Sequence, residues 1–400
     1  MILNEATQDF IRQHRRDDVR RLALLGQKLQ GVDLPAALQQ IQGWQTARTK
    51  LPAWAEREDI VFPPHLNMEQ CSSEVTARYK QALAARLCKQ RRAMADLTGG
   101  MGIDFSMLAQ GFDRAIYVER NPLLCQLMEH NGHALGLKSM EVRHADCTEA
   151  LSKLPPLDLI FMDPARRDSH GGKVFALQDC QPDVLSMRDT LLEKAHTLLL
   201  KLSPMLDWHQ AVQQLGCVQE VHIVSTGNEC KELLLVCAAE GASTRGVYCV
   251  NDGQTLCFPM DSEPMRELKT AVEVCPGHYL YEPNASVMKA GCFGLVCEKY
   301  GVGTLARDSH LFVSPRLIGD FPGRKFRVKA VSSLNKKELR RALGDLKQAN
   351  IAVRNFPLTS NELRKRLRLR DGGDTYLFAT TFQPVSAPRP SHILLVTEKA

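Results

Sequence analysis

An α/β fold with a mostly parallel sheet, preceded by a helical region and followed by a small α+β module, is predicted for this chain by three observations. Between residues 92 and 240, short apolar runs alternate with stretches of helical period. A glycine-rich turn, Asp96-Leu97-Thr98-Gly99-Gly100-Met101-Gly102, joins one of those runs to the helix after it. Positive charge is concentrated in a single segment near the C-terminus.

Length and composition agree with that architecture. At ~100–200 residues per domain, 400 residues make two or three domains. With 44% hydrophobic and 24% charged residues, the chain is far from the composition of a disordered protein. Residues 1–68 read as a helical region, with Phe10, Ile11, Leu22 and Leu24 set among charges and a second stretch from Leu34 to Thr46. Pro52, Pro63 and Pro64 interrupt it, and Ser72 and Ser73, good N-cap types, open a helix through Tyr79 to Leu87.

Residues 69–240 hold the sheet. Strands are expected at Ala93–Leu97, Ala115–Val118, Met140–His144, Leu157–Met162, Thr197–Leu202, Val218–Val224 and Leu233–Cys237. Helices at Asp104–Gln110, Leu123–Leu135 and Leu185–Lys194 fall between them. The last two strands follow each other without a helix, which predicts an antiparallel hairpin at one edge. Residues 241–322 read as a loop-rich connection broken by prolines. In residues 323–400 the pattern regularises: strand Phe326–Val331, helix Lys336–Lys347, strand Ile351–Arg354, helix Ser360–Leu369, then strands Thr375–Thr381 and Ile393–Thr397. Both helices open with capping-box spacing, Asn335 with Glu338 and Thr359 with Glu362.

The net charge of +6 conceals an asymmetry. Arg324 to Arg370 contains fifteen basic residues and three acidic ones, a segment of +12 beside a remainder of −6. Three acids cannot pair fifteen bases, so this basic module predicts a polyanionic partner, with nucleic acid first. Arg364, Lys365, Arg366 and Arg368 are the densest part of it.

No apolar run approaches the ~20 residues of a membrane span, and the N-terminus is charged from Glu5 onward, unlike a secretory leader. Thirteen cysteines, an odd number with no Cys-x-x-Cys, read as reduced thiols of a cytoplasmic protein; no metal is expected.

The chemistry-bearing residues end successive strands. Glycines in the Thr98–Gly102 loop let backbone approach a ligand and place a helix N-terminus beside it. A dinucleotide fingerprint would continue with a glycine three residues after Gly102; Phe105 stands there, so a nicotinamide cofactor is disfavoured. Glu119 ends the second strand, where an acid can accept both hydroxyls of a ribose. Asp146 ends the third and can accept from an adenine amine. Asp163-Pro164-Ala165-Arg166-Arg167 follows the fourth, at the carboxyl edge where open α/β sheets bind ligands. Arg166 and Arg167 suit phosphate or base stacking, and Lys201 and Ser203 end the fifth strand on the substrate side.

Together these features resemble class I S-adenosylmethionine-dependent methyltransferases, over about residues 70 to 240. The resemblance implies a Rossmann-like seven-stranded sheet ending in a β-hairpin. It implies that Asp96 with Thr98, Gly99, Gly100 and Gly102 holds the methionine end of S-adenosyl-L-methionine, that Glu119 holds the ribose, and that Asp146 and Cys147 flank the adenine. Asp163-Pro164 resembles the start of the Asp/Asn-Pro-Pro-aromatic motif of nitrogen methyltransferases, but Ala165 and Arg166 replace the second proline and the aromatic.

A narrower resemblance rests on five strings: residues 68–80 (MEQCSSEVTARYK), 163–167 (DPARR), 201–207 (KLSPMLD), 281–285 (YEPNA) and 321–324 (FPGR). They are similar to a bacterial, Bacteroidetes-type group that joins this methyltransferase domain, through a ferredoxin-like piece, to a C-terminal THUMP-like domain. THUMP domains elsewhere bind tRNA, which implies a tRNA or rRNA partner.

The expected activity is methylation of a nucleotide nitrogen, with Asp163, Pro164 and Arg166 at the acceptor and Arg167, Lys201 and Ser203 on the substrate side. Carbon methylation of the pyrimidine C5 type needs a nucleophilic cysteine after the fourth- or fifth-strand motif, and neither Asp163-Pro164 nor Lys201–Met205 has one close by. A non-catalytic RNA-binding protein with a methyltransferase shell and a small-molecule methyltransferase stay as alternatives. The sequence indicates neither the target nucleotide nor the oligomeric state.

Overall fold

The computed structural model describes residues 3–24, 29–166, 177–238, 245–261, 268–384, 386 and 389–400. The chain folds into two compact units, Met1–His222 with Lys231–Arg245, and Ile223–Cys230 with Gly246–Ala400.

In the first unit, β1 (Ala93–Asp96), β2 (Arg114–Glu119), β3 (Met140–His144) and β4 (Leu157–Met162) precede two short strands, β5 (Ala165–Arg166) and β6 (Cys180–Gln181). Then come β7 (Ala195–Leu202) and the hairpin strands β8 (Val218–Thr226) and β9 (Glu229–Cys237), whose tip is grouped with the second unit. Apart from β5 and β6 these strands are consecutive in the order β8-β9-β7-β4-β1-β2-β3, within a nine-stranded sheet that continues past β8, so the expected hairpin does not lie at an edge. Neighbours from β7 to β3 are parallel, and β9 runs antiparallel to β7. This is the seven-stranded Rossmann-like sheet expected, with the last strand inserted beside β7. Its central strands are apolar without alternation because both faces are covered: every residue of Leu157–Met162 is buried.

The parallel run brings Asp96, Glu119, His144, Met162 and Leu202 to one edge as strand ends. The helices that follow begin there too. Ile103–Ala109 starts after Gly102 in the left-handed conformation, Pro122–Ala134 is capped by Asn121, and Cys147–Ser152 is capped by Asp146. The N-terminal helices pack into the same unit: Trp54, Ile60, Phe62 and Met68 share a core with Ile103 and Met107. No helix among the described residues is long and apolar enough to cross a membrane.

The second unit contains the hairpin β10 (Gly246–Asn251) and β11 (Gln254–Pro259), then β12 (Tyr279–Pro283), β13 (Gly303–Thr304), β14 (Phe312–Ser314), β15 (Gly323–Ser333), β16 (Asn350–Arg354), β17 (Thr375–Phe382) and β18 (Ser391–Lys399). A seven-stranded sheet runs β13-β14-β12-β15-β18-β17-β16. The segment that reads as loop-rich therefore holds strands and two helices, Ala285–Ala290 and Phe293–Tyr300. Its prolines bound the strands rather than replace them: Pro259 and Pro283 end strands, and Pro315 and Pro322 lie just outside others.

Two of the family strings meet in this sheet. β12 pairs antiparallel with β15, so Glu282 lies opposite Arg324 and accepts from its Nε at 2.7 Å. The rings of Tyr281 and Phe321 meet at a tilt of 39°, centroids 4.8 Å apart.

Alternation along β17 and β18 divides two cores. Phe378, Ile393 and Leu395 face one side with Phe326 and Val328; Leu377, Ala379, Leu394 and Val396 face the other with Leu339 and Leu363 of the two basic helices. A bulge between Val328 and Ala330 turns Ala330 to the helix side. The first helix ends at Leu343, before the expected Lys347, because Gly344 takes a positive φ of 53°. Thr359 and Glu362 form the expected capping box. Asn335 instead accepts from Lys337 N while Glu338 accepts from Ser333 N.

Phe378 is fully buried and meets Phe326 edge-on at 4.8 Å. Phe378→Ala is expected to cost the second unit about 3–5 kcal/mol in urea denaturation of the full chain.

Candidate active site

Three glycines of the loop after β1 have distinct physical reasons. A Cβ on Gly99 would lie 2.2 Å from Tyr117 Cε2, and one on Gly102 would lie 2.3 Å from Met128 Sδ. Those two positions are glycine because the protein's own side chains fill the space. A Cβ on Gly100 would meet nothing closer than Thr98 O at 3.7 Å. Of the three, only Gly100 has open space beside it, and its φ of 54° strains any other residue.

Glu119, at the end of β2, holds this loop. Its Oε2 accepts from Gly100 N at 2.9 Å and its Oε1 from Asn121 N at 2.8 Å. The Tyr117 hydroxyl donates to Gly100 O. Each carboxylate oxygen of Glu119 keeps a lone pair for a ligand.

Thr98 joins the first and fourth strand ends. Its backbone N–H donates to Asp96 Oδ1 at 2.9 Å, and its hydroxyl oxygen accepts from Asp163 N at 2.6 Å. Asp96 is buried, and that burial pushes its carboxyl well above the usual range. The Thr98 amide opposes the shift; Asp104, Asp163 and Glu119 add to it.

Lys201 forms an ion pair with Asp163 Oδ2 and lies 3.9 Å from Asp104 Oδ2. The sequence placed Lys201 on the substrate side; in the fold its ammonium is engaged with these acids. They hold its pKa above the ordinary lysine value although burial acts the other way.

Asp104 is held by residues that strand-end reasoning did not find. Ser72 Oγ donates to its Oδ2 at 2.6 Å, and Lys80 Nζ lies 3.1 Å from its Oδ1. Lys80 is fully buried and reaches both oxygens of Glu232, in β9, at 2.7 Å. Burial raises the Asp104 carboxyl, but Lys80 and Lys201 outweigh it and leave the group below its usual value. The signal in the sequence was the 68–80 string, which contains both Ser72 and Lys80.

The remaining site residues are less concentrated. Asp146 is exposed and caps its helix, accepting from Thr148 N and Oγ1, which lowers its pKa. Cys147 is buried, and burial followed by the Asp146 charge pushes its thiol up to about 11. Pro164 is buried beside Asp163. Arg166 is placed by its backbone, paired with Cys180 in β6; Arg167 lies outside the described residues. Ser203 accepts from Met205 N at 3.3 Å in the turn after β7.

In the second unit, the basic residues divide. Arg324 and Arg354 bind Glu282, and Arg364 donates to Ala349 O and pairs with Asp371 at 2.6 Å. Lys336, Lys337, Arg340, Arg341, Lys365, Arg366 and Arg368 are exposed on or beside the two helices. Arg364 is half-buried and engaged within the module, whereas Lys365, Arg366 and Arg368 are exposed.

Gly100→Val is expected to lose cofactor binding and, through its positive φ, some stability, whereas Gly99→Val destabilises the unit further by driving its Cβ into Tyr117; calorimetry and thermal melting separate the two. Glu119→Ala removes two charge-assisted acceptor sites and is expected to weaken cofactor binding by about 2–4 kcal/mol. Asp96 gives a pH signature. Because its folded pKa is raised, its contribution to stability is present below about pH 4 and is lost as pH rises toward the folded value. Asp96→Asn should flatten that fall in pH-dependent denaturation of the cofactor-free protein.

Two family models match the chain, a THUMP domain-like model over residues 323–399 and a ferredoxin-like domain model over residues 279–322. A chain assigned as a methyltransferase from Porphyromonas gingivalis W83, known as a crystal structure, is 31% identical, and the match covers 100% of both chains with a TM-score of 0.86. An uncharacterized S-adenosylmethionine-dependent methyltransferase of Mycobacterium tuberculosis is 26% identical over 302 residues, 73% of this chain and 79% of that protein. A likeness that spans sheet, ferredoxin-like piece and THUMP-like module together leaves one assignment: the chain belongs to the S-adenosylmethionine-dependent methyltransferases that end in a THUMP-like domain, and S-adenosyl-L-methionine is its cofactor.

Proposed function

We propose that this methyltransferase modifies a nucleotide nitrogen in tRNA or rRNA. The observation that carries the reading is the exposed basic surface of the THUMP-like module, where Lys336, Lys337, Arg340, Arg341, Lys365, Arg366 and Arg368 crowd two short helices on one face of the sheet. A small-molecule enzyme has no physical use for such a surface.

The carboxyl edge of the first sheet fits the cofactor. Gly100 borders open space, Glu119 presents two carboxylate oxygens with free lone pairs, and Asp96 and Thr98 stand beside the same loop. In this reading the Thr98–Gly102 loop and Asp96 hold the methionine end, Glu119 the ribose, and Asp146 with Cys147 the adenine. The bound cofactor supplies a methyl group on a sulfonium, open to in-line attack.

Asp163 orients the acceptor. Lys201 engages Oδ2, which leaves Oδ1 to accept a hydrogen of an exocyclic amine and aim the nitrogen lone pair. The adjoining backbone carbonyl of Pro164 takes the second amine hydrogen. The nitrogen would gain the methyl that the sulfonium gives up on becoming a neutral thioether, and the amine proton would pass to Asp163 Oδ1 or to water. Lys201 acts through Asp163 and is a positioning residue. Arg166 and Arg167 bind phosphate or stack on a base.

Methyl transfer to total RNA from a deletion strain, followed by nucleoside mass spectrometry, tests the function. Asp163→Ala is expected to keep cofactor affinity within a few-fold and abolish transfer. Transfer to a small molecule alone, or cofactor binding without any transfer to RNA, overturns the reading. RNA affinity of the parent should fall with salt with a log–log slope of about −3 to −5, if four to six cations meet phosphates. Replacing Lys365, Arg366 and Arg368 with glutamine should flatten that slope by about 2–3 and leave cofactor affinity unchanged.

A further inference from the structure

We propose that Glu273, Cys275 and His278, in the segment leading into β12, form a site for a zinc(II) ion. One donor atom from each, a carboxylate oxygen, a thiol sulfur and an imidazole nitrogen, converge within 4.8 Å of one another. Cys275 Sγ is 3.5 Å from Glu273 Oε2. That separation matches two ligands on one tetrahedral metal, given Zn–S of about 2.3 Å and Zn–O of about 2.0–2.2 Å. The mixed oxygen, nitrogen and sulfur set suits zinc better than calcium or magnesium, which take oxygen.

A second observation points the same way. Nδ1 of His278 is buried and has no hydrogen-bond partner among the described residues. A buried imidazole nitrogen without a partner is costly, and a metal bond, or the second-partner bond that metal ligation usually brings, removes that cost.

The segment is also held rigid. Ala271 N donates to Thr304 O at 2.9 Å, and Thr304 N donates to Lys269 O at 2.8 Å. Gly277 N donates to Val328 O, and Val328 N donates to His278 O, both at 2.8 Å. Ala271 and Val274 are buried in the core below. Glu273 and Cys275 flank the buried Val274, and Gly277, at φ 94°, turns the chain so that His278 comes back toward them. Three protein ligands leave one coordination position for water. Binding displaces the Cys275 thiol proton to solvent, because the ligand is the thiolate.

This inference is independent of the RNA reading, and its test needs no methyl acceptor. The purified full chain is loaded with zinc(II), dialysed and analysed for metal by mass spectrometry. Cobalt(II) substitution is followed by its thiolate charge-transfer absorption, and affinity is measured against a chromophoric chelator. About one zinc per chain is expected. Cys275→Ser should abolish the cobalt–thiolate band and weaken zinc binding by more than about 100-fold, since even outer-shell partners are worth about 10–100-fold. Glu273→Gln, at an exposed position that tolerates change, should weaken binding while the protein melts normally. Absence of stoichiometric zinc, or a cobalt band and affinity unchanged in Cys275→Ser, overturns the site.

Discussion

Lys80 is the fully buried ammonium on which the first unit turns. Alone in that position it would be untenable, because a desolvated charge without partners costs several kcal/mol. It is kept by Glu232 from β9 and Asp104 from the helix after the glycine loop, with Ser72 completing the donors around Asp104. Asp104 in turn stands 3.9 Å from Lys201, which is paired with Asp163. One run of alternating charges therefore ties the helix Glu74–Leu87, the helix after the glycine loop, the β8–β9 hairpin and Asp163 together. Removing Lys80 takes from Glu232 and Asp104 the cation they share in the interior, so the run is constrained by its least solvated element.

The cofactor loop is organised by a different rule. Its glycines answer to packing at Gly99 and Gly102 and to a positive φ beside open space at Gly100. Tyr117 and Met128 press against Gly99 and Gly102, and their pressure fixes the course of the backbone around Gly100. Glu119 then locks Gly100 by an amide hydrogen bond. The hole for the ligand is thus produced by residues that need not touch it.

In the second unit the same positive charge serves two ends. Glu282 gathers Arg324 and Arg354 across three strands, and Arg364 holds the end of β16's neighbouring turn through Ala349 and Asp371. The remaining lysines and arginines stay in solvent on helices anchored by Leu339 and Leu363. Each helix packs a narrow apolar stripe on the core, Leu339 with Ala342 and Leu343 in one and Leu363 with Leu367 in the other, and leaves the remaining positions to charge.

The sequence by itself determined the alternating strands and helices of residues 92–240, the strand-end acids and the basic character of the C-terminal module, but not the strands between 246 and 314. These depend on local period and on residue types at chain positions, which need no knowledge of the fold. It also marked Ser72, Lys80, Glu282 and Arg324 as parts of recurring strings, without saying why. Tertiary structure alone decided the partners. Lys80 meets Glu232 across 152 positions of chain, and Arg354 meets Glu282 across 72. It likewise decided that Lys201 pairs with Asp163, that Arg364 pairs with Asp371 while Arg366 is exposed, and that Gly100 is the glycine with room beside it. The physical reason is common to all: pairing energy and close packing depend on distances of a few ångströms, and those distances are set by which elements the sheet brings side by side.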